Sequence, residues 1–262
     1  MLNGRKIIAV IPAYKTSRTI EKVIRAIPRP LVDEILVVDD GSADETATIA
    51  RGLQATVIVH VKNSGYGAAQ KTGYTEALAR GADIAVMVHS DNQYDPTLLP
   101  TLAEPLTRGE ADACFGSRMH RKSEALRGGM HWWRFLGNIG LTFLEECVLH
   151  LHLSEYHTGY RAYSRAVLET IPFLKNSDNY VFDTQMIAQL RAGRFRVTEV
   201  PIPTHYADDS CSPTFAKSVQ YGFSTLGVLL QYILHAWHLQ SAPEFLMQTS
   251  QERIMGRGEI AQ

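Results

Sequence analysis

The sequence predicts an α/β protein, a mostly parallel sheet flanked by helices. Two observations carry that expectation. Short β-branched runs alternate with helical patterns through the first half of the chain, the spacing of right-handed βαβ crossovers. Two of these runs also stop abruptly in acids, at Val37-Val38-Asp39-Asp40-Gly41-Ser42 and at Val86-Met87-Val88-His89-Ser90-Asp91-Asn92-Gln93. Open α/β sheets bind ligands at the carboxyl ends of their strands.

Strands are expected at residues 6–11, 34–38, 56–61, 83–88 and 113–116. Between the first two, Ile20, Val23, Ile24 and Ile27 repeat at i, i+3, i+4, i+7, so one helical face is apolar. Thr16 or Ser17 caps that helix, and Pro28 and Pro30 end it. Ser42-Ala43-Asp44-Glu45 reads as a capping box for the next helix, with a glutamate three residues after the serine. A third helix is expected over residues 66–79. Residues 130–153 read as a helix whose histidines and Trp132-Trp133 line a groove, and a strand follows at 195–202, closed by Pro201 and Pro203.

Residues 218–243 contain no Asp, Glu, Lys or Arg, but Gln220, Gln231, His235 and His238 dilute them below a membrane span. They read as an amphipathic helix over 219–239 that packs on the domain, joins a partner or lies on a membrane. The expected division is a main domain over residues 1–210 and a helical extension over 211–262, used for packing, oligomerisation or membrane-surface contact. The 262 residues, 45% hydrophobic and 20% charged, suit one large globular domain with such an appendage. A net charge of −1 argues against a nucleic-acid partner. Cys114, Cys147 and Cys211 have no CxxC spacing and read as reduced, mostly buried thiols of a cytosolic protein. The apolar run at 7–11 is too short for a signal peptide.

Four motifs carry chemistry. Ile11-Pro12-Ala13-Tyr14 puts a ring and a backbone edge at a strand end, a platform for a nucleobase. Asp39 and Asp40 can accept hydrogen bonds from a base and from ribose; because Ser42 fills the cap position, ligand binding is the favoured reading over dipole capping. Asn63-Ser64-Gly65-Tyr66-Gly67-Ala68-Ala69-Gln70 is like a phosphate loop opening a helix, although small residues there equally serve close packing on the sheet. It is not the dinucleotide fingerprint, since Gln70 stands at the third glycine. Asp91 and Gln93 offer oxygens on one side of an extended segment, a donor set for a hard cation such as Mg²⁺ or Mn²⁺.

Together with Phe115-Gly116-Ser117-Arg118 and Gly159-Tyr160-Arg161-Ala162-Tyr163, these motifs resemble the family 2 glycosyltransferases, closest to the dolichyl- and polyprenyl-phosphate mannose synthase-like branch. The resemblance implies a GT-A fold. By it, Pro12, Ala13, Tyr14, Asp39, Asp40, Asn63, Gly67, Ser90, Asp91, Arg118 and Arg161 hold the nucleotide-sugar. Asp91 and Gln93 hold the metal, with His89 standing where the family commonly has the first acid of Asp-x-Asp. Arg118 and Asp183 are the candidate catalytic residues, Asp183 as a base toward an acceptor hydroxyl or as a helix cap. Residues 205–213 correspond to a closing active-site segment.

The implied activity is an inverting, divalent-metal-dependent glycosyltransferase using a UDP- or GDP-sugar. Its acceptor is a polyprenyl phosphate or a glycan, and peripheral membrane contact and self-association are candidate partnerships. The expected location is cytoplasmic, including the inner face of the membrane. Two alternatives stand beside it: a nucleotidyltransferase, whose basic glycine loop after the first strand is missing here, and a non-catalytic sugar-nucleotide-binding protein.

Overall fold

Residues 1–120, 131–203 and 215–248 of a computed structural model are described. Cys211 and the loop 205–213 lie outside them. In chain order the strands are β1 (Ile7–Ala13), β2 (Glu34–Asp39), β3 (Thr56–Val59), β4 (Ile84–Met87), β5 (Ala113–Ser117), β6 (Arg161–Ser164) and β7 (Val197–Pro201). They form one sheet in the order β3-β2-β1-β4-β6-β5-β7. All pairings are parallel except those of β6, which runs antiparallel to β4 and β5. The mostly parallel α/β sheet expected from the sequence is therefore present.

The helices are α1 (Ile20–Ala26), α2 (Thr46–Gly52), α3 (Tyr66–Ala79), α4 (Leu99–Thr107), α5 (Trp132–Leu149), α6 (Arg165–Thr170), α7 (Phe182–Ala192) and α8 (Phe215–Ala236). They cover both faces, which is why β1 can be apolar at every position. Ile7, Ala9 and Ile11 pack with α1, α2 and α4; Ile8 and Val10 face the core shared by α3, α6, α7 and α8. The C-terminal helix thus packs into the core of the sheet, through Val228, Leu229 and Tyr232. No helix among the described residues is long and apolar enough to cross a membrane.

β1 runs two residues beyond its expected end, through Pro12. Pairing with β4 stops at Val10 opposite Met87, and Pro12 has the same strand phase as Val10, so its missing N–H lies where no partner remains. Helix α3 lies close on the sheet at Gly73, where an added Cβ would meet Val10 Cγ1 at 2.3 Å.

Local capping differs from expectation. Ser42 does not cap a helix: α2 starts at Thr46, and the Ser42 hydroxyl instead accepts the Lys15 N–H at 2.8 Å, tying the β1 and β2 ends together. Asp44 receives the Thr46 N–H, at 3.1 Å. Neither Thr16 nor Ser17 caps α1 with its side chain; the Thr16 carbonyl accepts the N–H groups of Thr19 and Ile20. Cys147 is exposed, not buried, because it stands on the outer face of α5.

Candidate active site

Because β6 is inverted between parallel neighbours, the ends of β1, β2, β4 and β5 and the start of β6 meet at one edge of the sheet. The strand order also reverses at β1, which has β2 on one side and β4 on the other, leaving the crevice where α/β sheets bind ligands. A cleft of about 950 Å³ opens there. Pro12, Ala13 and Tyr14 line it from β1, Asn63 and Gly65 from the loop before α3, and Ser90, Asp91 and Gln93 from the segment after β4. Helices α5 and α8 supply the facing wall through Trp133, Arg134, Tyr221 and Phe223.

The two adjacent acids after β2 part company. Asp40 lines the cleft, and its carboxylate accepts the N–H groups of Ser64 and Gly65, both at 2.8 Å, and contacts Nδ1 of His60 at 2.7 Å. It therefore braces the loop that forms one cleft wall. Asp39 is buried, accepts the Ser42 N–H at 3.0 Å and does not line the cleft. Gly41 between that pair and Ser42 has a φ of +72°, and a Cβ would strike the Lys62 backbone, so this turn admits only glycine.

Of the two readings of the glycine motif, a phosphate loop or close packing, the contacts at the start of α3 favour packing. The Asp178 carbonyl accepts the N–H groups of Gly67 at 2.7 Å and of Ala68 at 3.4 Å, occupying the start of α3. Gly67 is a packing glycine: an added Cβ would lie 2.4 Å from the Ser177 carbonyl oxygen.

After β4, Asp91 Oδ1 accepts the Gln93 N–H at 3.0 Å across Asn92, which has a φ of +59°. This turn holds both oxygen-bearing side chains at the cleft. His89 packs between the rings of Tyr66 and Tyr94, with Nε2 3.2 Å from the Tyr66 hydroxyl. Burial lowers its pKa, outweighing nearby Asp91, so the ring is neutral. Among the described residues no three His, Cys, Asp or Glu side chains gather into a metal cluster. His89 is thus placed in an aromatic layer, beside Asp91 and Asp183.

Asp183 does not cap a helix. It sits inside the first turn of α7 and faces the cleft, accepting from Gln70 Nε2 at 3.0 Å and from the Tyr66 hydroxyl at 3.2 Å. Arg161 stands behind it, wholly buried, 3.8 Å from its carboxylate. Its guanidinium donates to the carbonyls of Tyr156, Thr158 and Asp183, so Arg161 is a structural cation that does not reach a ligand. Arg118 does line the cleft, but it is buried against Glu155, which accepts its backbone N–H at 2.7 Å and its Nε at 2.9 Å, and also its Nη2. Burial opposes the ionised form of Glu155, yet Arg118 overrides it and holds the carboxyl below its ordinary value.

Sequence reasoning missed Tyr66, Gln70, Glu155, His157 and Tyr221. Tyr66 and Gln70 lie within the glycine motif one helical turn apart, a spacing that puts both on one face toward Asp183. Nothing local marks the other three, whose partners are 37 or more positions away or on another helix.

The model for glycosyl transferase family 2 matches residues 8–172, more than half of the chain. This chain belongs to that family. A UDP-N-acetylglucosamine–dolichyl-phosphate N-acetylglucosaminyltransferase of Methanococcus voltae is 27% identical, over 84% of this chain and 93% of its own. A polyprenol monophosphomannose synthase of Mycolicibacterium smegmatis is 30% identical, over 76% of this chain and 77% of its own. An undecaprenyl-phosphate mannosyltransferase of Micrococcus luteus is 29% identical, over 75% of this chain and 82% of its own. Among solved structures, glucosyl-3-phosphoglycerate synthase from Mycobacterium tuberculosis, in complex with Mn²⁺, UDP and phosphoglyceric acid, superposes with a TM-score of 0.66 at 23% identity, covering 87% of this chain and 78% of its own. The glycosyltransferase thus has the GT-A fold.

Proposed function

We propose that this glycosyltransferase moves a sugar, with inversion, from a UDP- or GDP-linked donor to a polyprenyl phosphate presented at a membrane surface. The observation that carries this reading is the two-ended character of the cleft. One end, at the strand termini, is polar and carries Asp40 and Asp91; the other, between α5 and α8, is apolar at its rim and carries Arg134 and Lys217. Val219, Phe223 and Leu226 line the cleft and remain 42%, 71% and 39% exposed. An acceptor with an anionic head and a hydrocarbon tail matches that end. The M. voltae and M. luteus relatives are named for transfer to dolichyl and undecaprenyl phosphate.

Pro12, Ala13, Tyr14 and Asn63 form the nucleoside end, with Asp40 setting its wall. Asp91 and Gln93 would hold a divalent cation through hard oxygen ligands, which suit Mg²⁺ or Mn²⁺. Such a cation, when bound, neutralises charge on the departing diphosphate. The acceptor phosphate is already ionised, so its oxygen needs no base. Asp183 then accepts hydrogen bonds from the transferred sugar, held in place by Tyr66, Gln70 and Arg161. Arg118, fixed by Glu155, faces the cleft as a cation that attracts the anionic diphosphate. Exposed Leu230, one turn beyond Leu226 on α8, extends the apolar rim as a surface for peripheral contact at the cytoplasmic side of a bilayer.

The test offers farnesyl phosphate or 3-phosphoglycerate with UDP-N-acetylglucosamine, UDP-glucose or GDP-mannose, with Mn²⁺, Mg²⁺ or EDTA, and reads products by mass spectrometry. A farnesyl-phosphate-linked sugar, formed with cation and lost with EDTA, is expected. Transfer to 3-phosphoglycerate and none to farnesyl phosphate would refute the lipid acceptor.

A further inference from the structure

Tyr180, in the segment that enters α7, lines the cleft and yet stays 61% exposed. Its ring is stacked on that of Tyr66, with centroids 5.0 Å apart and planes at 27°. A lone exposed tyrosine on a surface needs no explanation. This one is carried by a segment fixed at each preceding residue. The Asp178 carbonyl accepts the Gly67 N–H at 2.7 Å, and Lys71 Nζ reaches the Asp178 carboxylate at 2.7 Å. Gln185 Oε1 accepts the Ser177 N–H at 2.7 Å, and Ser177 Oγ accepts the Asn179 N–H at 3.2 Å. A ring set in place beforehand loses little freedom when a ligand covers it.

The neighbours of Tyr66 locate the pair of rings in the cleft. The Tyr66 hydroxyl donates to Asp183 Oδ2 at 3.2 Å and lies 3.2 Å from His89 Nε2. Burial, reinforced by the Asp183 carboxylate, pushes the Tyr66 phenol well above its ordinary value, so it keeps the proton it donates. His89 stands two residues before Asp91, where the diphosphate and its cation belong. The rings of His89, Tyr66 and Tyr180 thus follow one another from the segment that carries Asp91 to the entry of α7, alongside Asp183. A pyranose leaving the diphosphate meets this layer. Its hydroxyls point outward from its edge and suit a carboxylate. Its faces present weakly positive C–H bonds, which suit the electron-rich face of an aromatic ring.

We propose that Tyr180 is a donor-binding residue whose outer ring face packs against the C–H face of the transferred sugar while Asp183 holds the hydroxyls. Tyr66 is the positioning residue that backs the Tyr180 ring and orients Asp183. The assignment rests on the nucleotide-sugar reading above. It adds an apolar contact that distinguishes a sugar-bearing nucleotide from the bare diphosphate.

The test measures Kd by isothermal titration, with Mn²⁺ present, for UDP, UDP-N-acetylglucosamine, GDP and GDP-mannose. The proteins are wild type, Tyr180→Phe and two ring-free variants, Tyr180→Ala and Tyr180→Gln. Both ring-free variants are expected to weaken the sugar nucleotide about tenfold and to leave the matching bare diphosphate unchanged. Tyr180→Phe keeps the ring and should bind both as wild type does. All three variants should keep the wild-type Tm, because the side chain is exposed. Equal weakening of the bare diphosphate would assign the ring to the nucleoside or to bracing, and overturns the proposal. So do a sugar-nucleotide affinity unchanged in the ring-free variants, a Tyr180→Phe variant as weak as they are, and failure of both ring-free variants to fold. If the wild type binds neither UDP nor GDP, the nucleotide-sugar reading itself falls and this assignment with it.

Discussion

Replacing Glu155 with glutamine isolates a fully buried charge pair at the cleft wall. Glu155 is fully buried and accepts from the backbone N–H, Nε and Nη2 of Arg118 and from Asn138 Nδ2 at 2.9 Å. Glutamine keeps one acceptor oxygen but turns an amide N–H₂ toward an N–H donor, and it leaves the Arg118 charge buried without its counter-ion. Breaking one side of a buried pair costs about 3–5 kcal/mol. For a chain of this size that corresponds to a fall in Tm of roughly 10 °C. Because Arg118 lines the cleft, donor turnover should fall as well. The pH dependence has a definite sign. The folded-state carboxyl lies below its ordinary value of 4.5, so its contribution is present above that pH and is lost as pH falls through the depressed folded value. The difference between wild type and Glu155→Gln should be full near pH 7 and shrink below about pH 4. Scanning calorimetry of both proteins from pH 7 to pH 3 reads this directly. A Glu155→Gln Tm within 2 °C of wild type at pH 7, about the scale of 1 kcal/mol, would refute the reasoning. Adding Arg118→Met should restore part of the lost stability, because no unpaired charge then remains.

Two further substitutions separate binding from bracing. Asp91→Ala should keep the Tm of the free protein and abolish the Mn²⁺-dependent stabilisation by UDP or GDP in a thermal-shift assay. Asp40→Ala should lower the Tm of the free protein, by about 2 kcal/mol of stability, because Ser64, Gly65 and His60 lose their shared acceptor. Gly67→Ala should destabilise by about 1–3 kcal/mol, since its Cβ meets the Ser177 carbonyl; a stable variant with weakened UDP binding would instead restore the phosphate-loop reading.

The legible parts of this protein are those whose signal is local. Alternating apolar runs and helical faces disclosed β1 to β5 and the helices α1 to α3, because βαβ units are built from contiguous sequence. The acids after β2 and β4 advertised a site, since carboxylates at strand ends have no place in a core. The less legible parts depend on partners distant in sequence. β6, only four residues long and opened by a buried arginine, has no strand signature of its own; its inversion exists because β4 and β5 accept it from both sides. Arg118 and Arg161 both read as nucleotide-sugar-binding residues, Arg118 the more strongly; Arg161 is wedged behind Asp183 and Arg118 faces the cleft. Ser42 and Gly67 satisfied motif patterns that the folded chain uses otherwise, because Lys15 and Asp178 reach them first.

From residue order alone came the fold class, the family and the edge of the sheet where chemistry belongs, for each is written in short segments whose physics is complete within about ten residues. Tertiary structure alone decided which of Asp39 and Asp40 faces the cleft, which arginine is available to it, and that α5 and α8 close it with an apolar rim. Those outcomes turn on desolvation and on hydrogen bonds between elements far apart in the chain, and such terms acquire values only once the elements have packed.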